Sequence, residues 1–126
     1  MLRYKILVVD DYPLVLRRVS EFLRNHGYQV DEAANGDQAL EKISRENYGL
    51  IISDIRMPGI DGLRLLELAK VLAPATPVVL MSGDPTISRD ALKKLGAYDF
   101  VPKLDPSLSL SDQIKAVLIR LNGKVI

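Results

Sequence analysis

Five times along this chain, a short apolar run of strand length gives way to a segment whose apolar residues recur at helical spacing. That strict alternation constrains the fold more than any other feature. A helix between successive strands carries the chain back across the sheet, so the strands run parallel and helices cover both faces. The strand-like runs are Lys5–Val9, Gln29–Ala33, Leu50–Ser53, Val78–Met81 and Tyr98–Val101. The first helix is expected from Pro13, a favoured first helical residue. It carries Leu14, Leu16, Val19, Phe22 and Leu23 on one face and stops at Asn25-His26-Gly27. Asn35-Gly36 reads as a turn before a second helix that holds Ala39, Leu40 and Ile43 and ends near Asn47. A third helix begins at Gly62 and shows Leu63, Leu65, Leu66, Leu68, Ala69 and Leu72 before Pro74 breaks it. Asp84-Pro85 reads as the opening of a fourth, with Ile87, Ala91, Leu92 and Leu95, ending at Gly96. The fifth has two candidate starts, Asp105 followed by Pro106, or Ser109 with Asp112 three residues on. Its stripe is Leu110, Ile114, Val117, Leu118 and Leu121, with Gly123 just beyond. The 126 residues read as one domain, 1–126, of the α/β class.

The ends of four of these runs carry chemistry. The first ends on Asp10 and Asp11, and the third runs through Ser53 to Asp54. The fourth ends on Ser82, and the fifth runs through Pro102 to Lys103. Ligands of open parallel sheets bind beyond the carboxyl ends of the strands, so these groups converge on one site. Three clustered carboxylates repel one another and favour a divalent cation with oxygen preference, Mg²⁺ above all. Phosphoryl transfer needs positioning and charge neutralisation, which a cation and Lys103 supply. The set suits Mg²⁺-assisted phosphoryl transfer to Asp54.

Composition removes other options. With no cysteine, disulfides, thiolate catalysis and zinc–thiolate sites are excluded, and a single histidine, His26, disfavours His-based metal sites. His26 itself reads as a helix-end residue favoured by the dipole. Seventeen basic against sixteen acidic residues, net +1, leave no electrostatic footprint for nucleic acid or an anionic membrane. No apolar run is long enough to span a bilayer, and Asp10-Asp11 interrupts the N-terminal run where a signal peptide would continue. The expectation is a soluble, cytoplasmic protein.

Ile6-Leu-Val-Val-Asp-Asp11, Asp54-Ile-Arg-Met-Pro-Gly-Ile-Asp-Gly62, Met81-Ser-Gly83 and Gly96-Ala-Tyr-Asp-Phe-Val-Pro-Lys103 together resemble the receiver domain of two-component response regulators, the chemotaxis-regulator-like fold. The resemblance spans nearly the whole chain and implies a five-stranded parallel sheet of order 2-1-3-4-5. Helices one and five would lie on one face, and two, three and four on the other. It further implies that Asp54 accepts a phosphoryl group from a phosphohistidine on a sensor histidine kinase or phosphotransfer protein. Asp10, Asp11, Asp54 and the backbone carbonyl of Arg56 would hold Mg²⁺. Lys103 would pair with the phosphoryl oxygens, Ser82 would turn inward to bond them, and Phe100 would be the rotating switch aromatic. Arg17, Arg18 and Arg24 read as a solvated face of helix one, the helix on which the family docks its kinase. Helix four, strand five and helix five would present the output surface to a downstream protein target or an output domain. Such a domain is no general enzyme and catalyses only its own phosphorylation and dephosphorylation.

Departures from the family sharpen the expectations. Leu104 follows Lys103 where the family has a proline joined by a cis bond. A cis bond before a non-proline residue costs about 2.5–4 kcal/mol, so trans is expected. The connection from Lys103 to helix five looks one residue short, and Pro102 removes a ladder N–H. Phe100 lacks the hydroxyl of a tyrosine, and Ser82 keeps the hydroxyl of the commoner threonine. Arg56 and Asp84 flank the site and are expected to tune phosphoryl lifetime by gating water, as an ion pair. The competing readings are a pseudo-receiver that binds partners without phosphorylation, a haloacid-dehalogenase-type phosphatase and a flavodoxin-like carrier. The phosphatase needs a second Asp where Arg56 stands, and a carrier's phosphate would be repelled by Asp10-Asp-Tyr-Pro13.

Overall fold

A computed structural model describes residues 4–122. Its elements are β1 (Lys5–Val9), α1 (Pro13–Asn25), β2 (Gln29–Ala33), α2 (Gly36–Arg45) and β3 (Leu50–Asp54), followed by α3 (Gly62–Leu72), β4 (Val78–Ser82), α4 (Arg89–Lys94), β5 (Asp99–Pro102) and α5 (Leu110–Asn122). The strands form one parallel sheet of order β2-β1-β3-β4-β5, as expected.

Alternation along each strand divides the core in two. Leu7, Val9, Ile51, Val78, Leu80 and Phe100 point to the face covered by Ala39 and Ile43 of α2, Leu65, Leu66 and Ala69 of α3, and Leu92 of α4. Ile6, Val8, Leu50, Ile52, Val79, Met81 and Val101 point to the other face, against Val19 and Leu23 of α1 and Ile114, Val117 and Leu118 of α5. Central strands covered on both faces must be apolar throughout, which is why β1, β3 and β4 read as unbroken runs.

Three helix starts differ from or resolve the sequence expectation. Asn35 is the N-cap of α2 and not part of a separate turn: its Oδ1 accepts the Gln38 N–H at 2.8 Å, and Gly36 is already helical. The same helix stops at Arg45, short of Asn47. Asp84-Pro85 does not open α4. The Asp84 carboxylate instead accepts from Thr86 N at 2.9 Å and Thr86 Oγ1 at 2.7 Å, closing a local turn that competes with helix. The helix begins only at Arg89, capped by Ser88, whose Oγ accepts from Ala91 N at 3.2 Å, and Ile87 packs on the core from the loop. For α5 the second candidate start is realised, with Ser109 Oγ accepting from Asp112 N at 3.1 Å. Asp105 makes a turn of its own with Ser107. Gly123 lies outside the described residues. No described peptide bond is cis, so Lys103–Leu104 is trans as expected. Among the described residues no helix is long and apolar enough to cross a membrane.

Where α3 meets β3, the backbone approach is close. A Cβ on Gly62 would lie 2.2 Å from the Asp54 carbonyl oxygen and 2.7 Å from Ile55 Cα. Both neighbours are backbone, so the helix start would have to shift away. Gly62→Ala is expected to cost about 1–3 kcal/mol, the usual scale of overpacking, read as a lower urea midpoint at unchanged slope.

Candidate functional site

The parallel register brings the strand ends level. Val9 pairs with Ser53, Asp54 with Met81 and Ser82 with Pro102, so the residues at or just past these positions share one edge of the sheet. Asp10 follows β1 and is fully buried; its N–H donates to the Ala33 carbonyl and its Oδ1 accepts from Tyr12 N at 2.9 Å. That turn aims the carboxylate at the sheet edge. It does not cap α1, whose N-cap is Tyr12, without a side-chain bond. Asp54 closes β3, and its position is set by Ile55 N donating to the Met81 carbonyl at 2.9 Å and Gly62 N donating to the Ile55 carbonyl at 2.7 Å. One carboxylate oxygen from each of Asp10, Asp11 and Asp54 lies within 4.8 Å of the others.

Lys103 reaches this cluster from the segment that follows β5. Its Nζ is 2.8 Å from Asp10 Oδ2 and 3.1 Å from Asp54 Oδ1. Its backbone N–H donates to the Ser82 carbonyl at 2.8 Å, which continues the β4–β5 pairing past Pro102. Burial raises the pKa of the Asp54 carboxyl, and the nearby Asp10 adds to the rise while Lys103 opposes it. For Lys103 burial works against the ammonium, but Asp10 and Asp54 outweigh it and raise its pKa, so it stays charged.

The site still has unmet acceptor capacity. Buried Asp10 Oδ2 has Lys103 Nζ as its ion-pair partner at 2.8 Å, which leaves acceptor capacity on an oxygen with two lone pairs. An acceptor oxygen left in that condition, facing two other carboxylates, is what a small hard cation satisfies. The donor set is all carboxylate oxygen, the kind hard cations such as Mg²⁺ prefer, without the nitrogen or sulfur ligands typical of zinc and copper sites.

Other expected residues gather around this centre without touching Asp54. Ser82 is buried, and its Oγ accepts from Asp84 N at 3.0 Å. Arg56 leaves the β3–α3 loop and pairs with Asp84, Nη2 to Oδ2 at 2.6 Å, spanning the mouth between two loops as the expected ion pair. The Phe100 ring is buried in the core on the α2–α3–α4 face, and its carbonyl accepts from Arg89 Nη2 at 2.9 Å. His26 sits at the end of α1 with Nδ1 2.9 Å from the Phe22 carbonyl, well placed as a helix-end residue. Two groups escaped the sequence reading. Buried Asp99 pairs with Arg89 and Arg120, and buried Gln113 donates to two loop carbonyls. Both are polar types that usually face water, and only the pairing of distant segments exposes their roles.

Residues 6–115 match the family model of the response regulator receiver domain, and the chain belongs to that family. Sporulation initiation phosphotransferase F of Bacillus subtilis is 32% identical over 120 residues, covering 94% of this chain and 96% of that protein. The transcriptional regulatory protein ResD of the same organism is 33% identical over 117 residues, covering 92% of this chain and 48% of that protein. The response regulator protein TrrA from Thermotoga maritima, solved in complex with Mg²⁺-BeF, matches with a TM-score of 0.81 at 32% identity, covering 95% of this chain and 99% of that one. The protein is thus a receiver domain of the two-component class, a signalling module.

The raised pKa of Asp54 has a stability consequence. The folded state binds its proton more tightly than the unfolded chain does, so its contribution is fully present below the ordinary carboxylate pKa of about 3.9. That contribution is lost as pH rises through the raised folded value. In EDTA at pH 7, Asp54→Asn is expected to melt at a higher temperature than the wild type. The gain should shrink on acidification towards pH 3, and added Mg²⁺ should narrow it by stabilising the wild type. Thermal melts at the two pH values check this.

Proposed function

We propose that this chain is a phosphorylation-controlled switch: Asp54 takes a phosphoryl group from a phosphohistidine on a sensor histidine kinase or phosphotransfer protein. The observation that carries this reading is the convergence of buried Asp10 and Asp54, exposed Asp11 and Lys103 Nζ on one edge of the sheet. Ionised Asp54 attacks phosphorus through a carboxylate oxygen. The O–P bond forms as the P–N bond breaks, and the electron pair leaves with the imidazole. Asp10, Asp11, Asp54 and the Arg56 backbone carbonyl would hold Mg²⁺. When bound, Mg²⁺ neutralises charge on the phosphoryl oxygens. Lys103, already charged and aimed at Asp54 Oδ1, supplies a second cation to the same oxygens.

The product brings roughly −1.5 to −2 charge and strong acceptors to a site poised to respond. Ser82 leaves the Asp84 N–H and donates to a phosphoryl oxygen, which draws in the β4–α4 loop. Phe100 lies in the core beside that loop and is the aromatic whose packing reports the change to the α4–β5–α5 surface. A downstream protein target, or an output domain on a longer chain, reads that surface. Tyr12 and Leu104, both more than half exposed, line a cleft with Lys103 and offer an apolar rim for the phosphodonor beside α1. The Mg²⁺-BeF complex of TrrA and the phosphotransferase name of the Bacillus relative support this reading. A cytoplasmic setting, where kinase and regulator meet, belongs to the same proposal, as does a catalytic range limited to the protein's own phosphorylation and dephosphorylation.

Intact mass after incubation with acetyl phosphate is the test. One phosphoryl adduct is expected, dependent on Mg²⁺ and absent from Asp54→Asn. No adduct from acetyl phosphate or from a phosphohistidine donor, with Mg²⁺ binding intact, would replace this reading with a pseudo-receiver. A second measurement concerns lifetime. The Arg56–Asp84 pair lies across the mouth and is expected to shield the acyl phosphate from water. Arg56→Ala should therefore speed hydrolysis, and an unchanged rate would sink the gating role.

A further inference from the structure

The stretch between β5 and α5, residues 103–109, carries Lys103 but has few anchors. Lys103 N–H bonds the Ser82 carbonyl, and Asp105 closes a local turn with Ser107. Leu104 and Leu108 are 81% and 51% exposed, so apolar burial contributes little to holding the segment. Leucine at 104 also leaves the residue after Lys103 without the φ restriction a proline ring imposes. The stretch should wander on these grounds, yet Lys103 Nζ sits between Asp10 and Asp54.

Gln113 supplies the missing restraint. It lies in the first turns of α5, is 9% exposed, and its backbone N–H is bonded to the Ser109 carbonyl at 3.1 Å. From that rigid base its Nε2 donates to the Pro102 carbonyl at 2.9 Å and to the Leu108 carbonyl at 3.3 Å. Both donors of one amide are thus spent on the two ends of the loop: the residue before Lys103 and the residue before the Ser109 cap. An amide is well suited to this position. A hydrocarbon would leave two carbonyls short of donors, and a carboxylate would repel them.

We propose that Gln113 is a positioning residue for phosphoryl transfer, acting through Lys103 by clamping the β5–α5 loop at both ends. The inference rests on the roles given above to Asp54 and Lys103. It has a signature that a purely structural amide lacks. Lys103 has opposite effects on the two ligands of the site: it assists the phosphoryl group but competes with a cation for Asp10 and Asp54. Loosening the clamp therefore weakens phosphorylation without weakening Mg²⁺ binding.

Gln113→Met keeps the length of the side chain and removes both donors. Its initial rate of adduct formation with acetyl phosphate and saturating Mg²⁺ is expected to fall about tenfold or more, as misplacement of a catalytic group by a fraction of an ångström does. Its Mg²⁺ affinity, measured by calorimetry with MgCl₂ alone, should stay at the wild-type value or rise. Gln113→Lys, whose ammonium can donate to the same two carbonyls, should recover most of the rate. A wild-type rate in Gln113→Met overturns the proposal, and so does a joint fall of rate and Mg²⁺ affinity. Should the methionine variant not fold, Gln113→Asn, one methylene too short to serve both carbonyls, carries the same comparison. Failure of the underlying reading is distinguishable, because the wild type itself would then form no adduct.

Discussion

The contact between Lys103 and the carboxylates of Asp10 and Asp54 is the interaction on which the rest of the structure turns. It joins the ends of β1, β3 and β5 across the sheet edge. Burying charge is costly, and one ammonium does not balance the two buried carboxylates of Asp10 and Asp54 with exposed Asp11 beside them. The site is therefore held in a state that a divalent cation would relieve. The raised pKa of Asp54, caused by burial first and by Asp10 second, is one sign of that cost. Perturbed groups of this kind gather where chemistry is done.

The sheet acts as a ruler for that cluster. Parallel strands in register end together, so each contributes its terminal polar residue to one place. Two apolar faces, each packed under its own helices, keep the ruler rigid. Loops do the remaining work, and particular contacts set the shape of those that carry the site. Asp10 turns its own loop through Tyr12 N, Gly62 brings α3 against the end of β3, and Gln113 clamps the loop that carries Lys103.

On the far side of the site the structure has a chain of contacts suited to relaying a change. Ser82 is tied to Asp84, Asp84 to Arg56 and Thr86, and the short α4 follows within a few residues. Arg89 at the start of α4 and Arg120 near the end of α5 both grip Asp99 on β5. Under the proposed switch, withdrawing Ser82 from Asp84 disturbs the loop that leads into α4. The Asp99 ion pairs then couple that helix to β5 and α5. A helix of six residues has little stability of its own, which makes it an apt moving part.

Much of this was legible in the residues because two local rules hold throughout. Unbroken apolar runs mark strands covered on both faces, and helical periodicity marks the segments between them. Asp10, Asp11, Asp54, Ser82 and Lys103 could be singled out because each sits at the end of such a run. The misreadings fell where a polar side chain had two local options. Asp84 could cap a helix or close a turn on Thr86, and Asn35 could make a turn or a cap; the sequence contains both possibilities with similar energies. By itself, then, the sequence determined the order of elements, the two-faced core and the residues brought to one edge, since these follow from periodicity and burial. Only the tertiary structure decided that Lys103 reaches Asp54 through a trans loop, that Ser82 is held by Asp84, and that Gln113 is the clamp. Those outcomes depend on donors and acceptors from distant segments meeting within about 3 Å, which no local pattern encodes.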